Sequence, residues 1–291
     1  MKLTHLSQSA AFITIKFYGL TRDERYRALF EKETIRYYEK MVSFLPAPLS
    51  YYHYWLQFKW ARLLYIAAEE MLLPGDLLHI LARKQFVEHM ADDLLEEGYD
   101  QVLILGSGLD HLGLRYARSN KPTIEIDTLR MSQYKQAFLD QHYPHSEHPH
   151  LLGCNLSEQP LSKILECQEI LTPKKKTIVI AEGFFDYLAP PTVHNTLSNL
   201  RDYFSSPAVI STHFALDELS PFHRWIFQTS LRFAGEPLQF HTSMDEFEQI
   251  LDEYHLWLSS CYGTDDLATR LNTQVEINLP LLKGFYLFTA K

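Results

Sequence analysis

The chain has 291 residues, 46% of them hydrophobic, and a formal charge of −9 at pH 7. That length accommodates one large domain or two small ones, and the composition excludes collagen-like, low-complexity and disordered classes. The acidic balance supplies no general field to gather nucleic acid or an anionic membrane, and the one basic run, Lys174-Lys175-Lys176, reads as a solvated loop before a strand.

The elements follow in chain order. Near the start a short apolar run from Ala10 to Ile15 is interrupted by Lys16, too short and too polar for a signal peptide. No apolar stretch reaches the ~20 residues of a membrane span. Residues 22–41 carry apolar side chains at helical intervals, Pro46 and Pro48 break the pattern, and residues 51–72 resume it with many aromatics. A further helix starts at Pro74-Gly75-Asp76 and runs toward Leu95. From Gln101 strands and helices alternate, as in a parallel sheet covered on both faces. The expected strands are Gln101–Leu105, 123–126, 151–154, Thr177–Ala181 and 208–212. The first, fourth and fifth are nearly continuous apolar runs, as strands buried on both faces are. Leu129–His142 and residues 192–204 read as helices. Residues 255–261 and 284–289, joined by a long polar connection, suggest a closing antiparallel pair. The expected fold class is α/β, a doubly wound, mostly parallel, seven-stranded Rossmann-like sheet. Residues 1–97 would form a helical cap and 98–291 the core.

The stretch from Gln101 to Asp127 is the first half of a nucleotide-binding βαβ unit: an apolar strand, Gly106-Ser107-Gly108, a helix, and a second strand ending on an acid. Gly106 and Gly108 allow a tight turn and close approach of backbone to ligand. A dinucleotide fingerprint wants a third glycine at position 111, where this chain has His111. Asp110 at the helix start would repel a pyrophosphate docked there. S-adenosyl-L-methionine is net positive, because its sulfonium and ammonium outweigh one carboxylate. A pocket bearing Asp110, Asp127 and Glu182 suits such a cation. Asp127 offers two acceptor oxygens to two ribose hydroxyls, or else caps the helix that follows.

A second signature runs from Thr177 to Leu188, TIVIAEGFFDYL, in which a buried strand ends directly on Glu182-Gly183. With LGSGLD and EID, in this order and spacing, it resembles the leucine carboxyl methyltransferase family over roughly residues 80 to 260. A late segment, Gly235-Glu236-Pro237-Leu238 with Phe240 and residues 244–254, looks similar too. The resemblance implies a class I O-methyltransferase with S-adenosyl-L-methionine as cofactor, acting on a carboxyl or hydroxyl oxygen of a small molecule or a protein C-terminus. It implies that Arg83 grips the cofactor's carboxylate, that Gly106 contacts the methionyl part and Asp127 the ribose. Asn155-Leu156 stands where the family usually shows Asp-Leu at the adenine. Glu182 lies near the cofactor, with Tyr187 as its aromatic neighbour.

Methyl transfer from a sulfonium is an in-line displacement in which the protein supplies alignment and desolvation. A carboxylate acceptor needs no base, whereas a hydroxyl gains from one. His213, expected just beyond the fifth strand, is the candidate base, with Tyr187 as a second catalytic candidate. His142, His145, His148 and His150 lie in a proline-containing segment that reads as a loop, and no metal is expected. Three dispersed cysteines, Cys154, Cys167 and Cys261, suit a reduced, cytoplasmic compartment. Two alternatives stand beside this reading: an NAD-dependent oxidoreductase, and a non-catalytic interaction protein that retains the fold.

Overall fold

The computed structural model describes residues 6–291. Contacts divide the chain into two compact units. Among the described residues, the first comprises 6–86, 217–237 and 263–284, and the second 87–216, 238–262 and 285–291.

The second unit holds a seven-stranded sheet in the order β3-β2-β1-β4-β5-β7-β6. Its strands are β1 (Gln101–Leu105), β2 (Thr123–Asp127), β3 (His150–Gly153), β4 (Thr177–Ala181), β5 (Pro207–Phe214), β6 (Leu258–Tyr262) and β7 (Phe285–Ala290). The first five pair in parallel, while β7 runs antiparallel to both β5 and β6. All parallel strands therefore end on one edge, and the strand order reverses between β1 and β4, where ligands of open α/β sheets bind. The expected fold class is the one observed. Every residue of β1, β4 and β5 is buried, which accounts for their unbroken apolar sequences.

The helices are α1 (Gln8–Leu20), α2 (Glu24–Arg27), α3 (Lys32–Phe44), α4 (Tyr51–Trp55), α5 (Lys59–Leu72), α6 (Asp76–Glu96), α7 (Leu112–Arg118), α8 (Leu129–His142), α9 (Leu161–Glu166), α10 (Pro190–Tyr203), α11 (Pro221–Phe233), α12 (Met244–Glu253) and α13 (Thr264–Asn272). The boundary between Phe86 and Val87 falls inside α6.

Three expectations change. The helix expected over 22–41 is two helices, because Phe30 turns in to meet Phe17 edge to face at 4.7 Å. The one expected over 51–72 breaks after Trp55, where Leu56 is buried against Gly19 and Arg62 donates to the carbonyls of Leu56 (3.0 Å) and Gln57 (2.9 Å). The polar connection after β6 contains α13, which buries Leu267 and Leu271 and is capped by Asp266 accepting from Gly263 N–H at 3.0 Å. Among the described residues no helix is long and apolar enough to cross a membrane.

Candidate cofactor and methyl-transfer site

The glycine loop follows β1 directly. Gly106 has φ of +64° and Gly108 +49°, both in the left-handed region that side chains disfavour. Gly106 N–H donates to the Ile126 carbonyl at 2.8 Å, which ties the start of the loop to β2. A methyl group on Gly106 would also stand 2.6 Å from the Phe184 ring, so that ring lies directly against the loop backbone. Phe184 follows Glu182-Gly183 at the end of β4, and its contact joins the two sequence signatures across the strand-order reversal.

Asp127 closes β2. One carboxylate oxygen accepts from Gly108 N–H at 2.7 Å, the other from Thr128 N–H at 2.6 Å. Burial raises its pKa above the ordinary aspartate value, and these two N–H groups act against that rise. Each oxygen has a second lone-pair direction, so the side chain can hold the loop and still receive ribose hydroxyls. The cap of α8 falls to Thr128, whose hydroxyl accepts from Met131 N–H at 3.4 Å, so Asp127 is not that cap. Asp110 is buried and accepts from the N–H of Leu112, the first residue of α7, at 2.7 Å.

His111 displaces the fingerprint's third glycine, but the packing duty of that glycine is met two residues later. A methyl group on Gly113 would stand 1.7 Å from Glu125 Oε1. Glu125 is buried on β2 and paired with Lys135 at 2.5 Å, each side chain 1% exposed. His111 itself lies 3.4 Å from Glu88 and 3.5 Å from Asp110, and Arg115 bridges Glu88 (3.0 Å) and Asp92 (2.6 Å). Burial works to raise the Glu88 pKa, but His111 and Arg115 hold it below the ordinary value.

At the end of β4, Glu182 is partly exposed, and Gly183 at φ of +59° donates its N–H to Thr212 Oγ1 at 2.7 Å. Tyr187 is partly exposed in a short 3-10 turn, and its carbonyl accepts from the Gln239 side chain at 2.8 Å. A groove of about 520 Å³ opens beside the end of β3, lined in part by Leu152, Cys154, Glu158, Lys163 and Cys167. One residue beyond Cys154, Asn155 is exposed and held in a turn: it accepts from Ser157 N–H (3.0 Å) and donates to Glu158 (2.8 Å). Leu156 is partly buried against the core. Arg83 is buried on α6, within the first unit, where burial lowers the His79 pKa and the Arg83 charge adds to that, while against burial Lys16, with Arg83 behind it, holds Asp76 below the ordinary aspartate value.

His213 does not stand beyond the fifth strand as expected. β5 runs two residues farther than expected, so His213 lies inside the strand opposite Tyr286 and is fully buried. Its Nδ1 is 3.0 Å from the buried Asp186 carboxylate and its Nε2 donates to the Thr242 carbonyl at 2.9 Å. Burial works to lower its pKa, but Asp186 and the carbonyl together raise it above 6.5. Both ring nitrogens are therefore turned toward oxygen atoms inside the core. Asp186 sits inside the EGFFDYL motif and was missed. The signal was an acid in an apolar run, which needs a buried cationic partner. Gly113 and Phe184 were also missed, since each acts through a contact distant in sequence.

His148 bonds the Tyr143 carbonyl at 2.9 Å, and the described residues contain no group of three metal-ligating side chains. Cys154, Cys167 and Cys261 form no disulfide.

Comparison with known proteins fits this geometry. A putative methyltransferase from Thermobifida fusca superposes with a TM-score of 0.56 at 15% identity, covering 80% of this chain and 88% of that one. A DUF574 family protein from Streptomyces avermitilis gives 0.56 at 14%, covering 79% and 90%. At such identities the likeness is one of fold. A search of curated proteins found no match. The family model for leucine carboxyl methyltransferase matches residues 22–201, beginning well before the sequence resemblance and ending before its late segment. With the strand-order reversal, the paired glycines and the strand-end acids in place, the chain belongs to the leucine carboxyl methyltransferase family and is an S-adenosylmethionine-dependent methyltransferase.

Proposed function

We propose that this enzyme methylates a carboxylate oxygen, of a small molecule or of a protein C-terminus. The observation that carries this choice over a hydroxyl acceptor is the state of His213. The residue expected to serve as base at the end of β5 is locked between Asp186 and the Thr242 carbonyl. A carboxylate is already ionised at neutral pH and needs no proton removed before attack.

When bound, the cofactor supplies the activated methyl group. The chain's residues bind and orient it: Asp127 toward the ribose, Gly106 and Gly108 at the methionyl part, Glu182 beside the positive portion, and Asn155 and Leu156 at the adenine. The donor set fits the group, because partly exposed acids stand at the ends of β2 and β4. Asn155 can serve the adenine only by giving up its turn bonds or by using its remaining capacity. Tyr187, partly exposed in the short turn after β4, stands as the second catalytic candidate. Three cysteines dispersed along the chain support a reducing, cytoplasmic location.

The test is methyl transfer from labelled cofactor to a panel of carboxylic acids, peptides and phenols. A methyl ester releases its label as methanol in mild base, whereas a methyl ether does not. Base-stable label on every accepted substrate would refute the carboxylate assignment.

A further inference from the structure

Helix α5 carries its apolar side chains on the wrong face for a helix of a monomer. Trp60, Leu63, Leu64, Met71 and Leu72 are exposed by 65%, 58%, 65%, 82% and 57%. Ala67 and Ala68 are exposed between them. Positions 60, 64, 67 and 71 follow the alternating four- and three-residue spacing of a helix–helix seam. The opposite face is thin: Ala61 is the helix's one buried residue, and Glu69 bonds Lys16 at 2.8 Å.

The preceding turn extends the patch. Trp55 and Phe58 are exposed by 65% and 58%, and the Phe58 and Trp60 rings stack at 6.4 Å. Since a large aromatic side chain offers about 150–250 Å², the exposed area here is on the order of 1,000 Å². The largest apolar patch of an ordinary monomer is roughly 300–600 Å². A stable pairing buries about 800 Å² on each partner, so the patch matches one half of such an interface.

We infer that α5 is a dimerisation seam that packs antiparallel against α5 of a second copy of this chain. Two-fold pairing places identical patches face to face, which a continuous apolar stripe with small residues near its midpoint permits. Antiparallel docking sets the exposed Lys59, at the N-terminal end of one helix, beside the C-terminal carbonyls of the other, and it opposes the two helix dipoles. A membrane surface fits less well. The chain is acidic overall, and Arg62, one of two basic residues on α5, is committed to the carbonyls of Leu56 and Gln57. This inference is independent of the methyl acceptor.

Sedimentation equilibrium of the full chain tests it. The expected result is a particle of twice 34.1 kDa at micromolar concentration, and a monomer for Leu64→Glu/Met71→Glu with unchanged far-ultraviolet circular dichroism. Ala67→Cys, in a background with Cys167→Ser and Cys261→Ser, should form an intermolecular disulfide on mild oxidation, because residue 67 falls near the two-fold axis. A monomeric wild type overturns the inference, whether or not it binds neutral phosphatidylcholine vesicles. So does a dimer that survives the double substitution, or a dimer in which residue 67 fails to cross-link. Should the double variant not fold, the wild-type mass and the cross-link decide the question.

Discussion

Replacing His213 by alanine separates a structural role from a chemical one. The substitution removes the 3.0 Å contact to Asp186 and the 2.9 Å bond to the Thr242 carbonyl. It also removes a ring lying 5.0 Å from that of Phe247. Asp186 keeps one oxygen on Phe214 N–H at 3.1 Å but loses its counter-charge inside the core. Deleting one partner of a buried pair costs about 3–5 kcal/mol. At roughly 2–4 °C per kcal/mol for a chain of this size, Tm should fall by about 10 °C. The pH dependence carries a sign. Because His213 has a folded-state pKa above 6.5, its contribution is complete below that value and declines as pH rises through the folded pKa. The gap between wild type and variant should therefore be widest in mild acid and narrow in alkali. Thermal unfolding across pH 5 to 9, with turnover measured well below the variant's Tm, provides the assay. A variant with wild-type Tm, lost turnover and a flattened acid limb in its rate profile would show that His213 is a base after all.

Three further outcomes are expected. Gly113→Ala should cost at least about 3 kcal/mol, because the added methyl meets a carboxylate already fixed to Lys135, and a loss under about 1 kcal/mol in urea denaturation would sink that account. Gly106→Ala should cost about 1–2 kcal/mol from its φ of +64° alone, plus the clash with Phe184. Adding Phe184→Ala should relieve only the second part, so a double-mutant cycle without coupling would contradict the contact. Asp127→Asn should weaken cofactor binding roughly 10- to 100-fold by calorimetry, the value of a hydrogen bond to a charged group. Wild-type affinity should also fall as pH drops through the raised Asp127 pKa, and insensitivity to both changes would remove Asp127 from the ribose contact.

Much of the sheet was legible. β1 and β4 begin and end where their apolar runs do, and α8 spans the residues its spacing indicated. Those elements owe their limits to local pattern: strands buried on both faces, and a helix capped by Thr128. The site's acids were legible for the same reason, since a strand's end fixes which residue stands at the sheet edge. The breaks at Phe30 and Leu56 were not, because each depends on a partner elsewhere in the chain, Phe17 and Gly19.

The sequence by itself determined the parallel sheet, its ligand edge and the acidic character of that edge, because these follow from short-range periodicity and from where apolar runs stop. Tertiary structure alone decided that residues 217–237 and 263–284 join the first unit. It alone decided that Gly113 makes room for Glu125, and that His213 pairs with Asp186 inside the core. The physical reason is common to all three: each depends on groups far apart in sequence meeting in space, and such meetings leave no period along the chain.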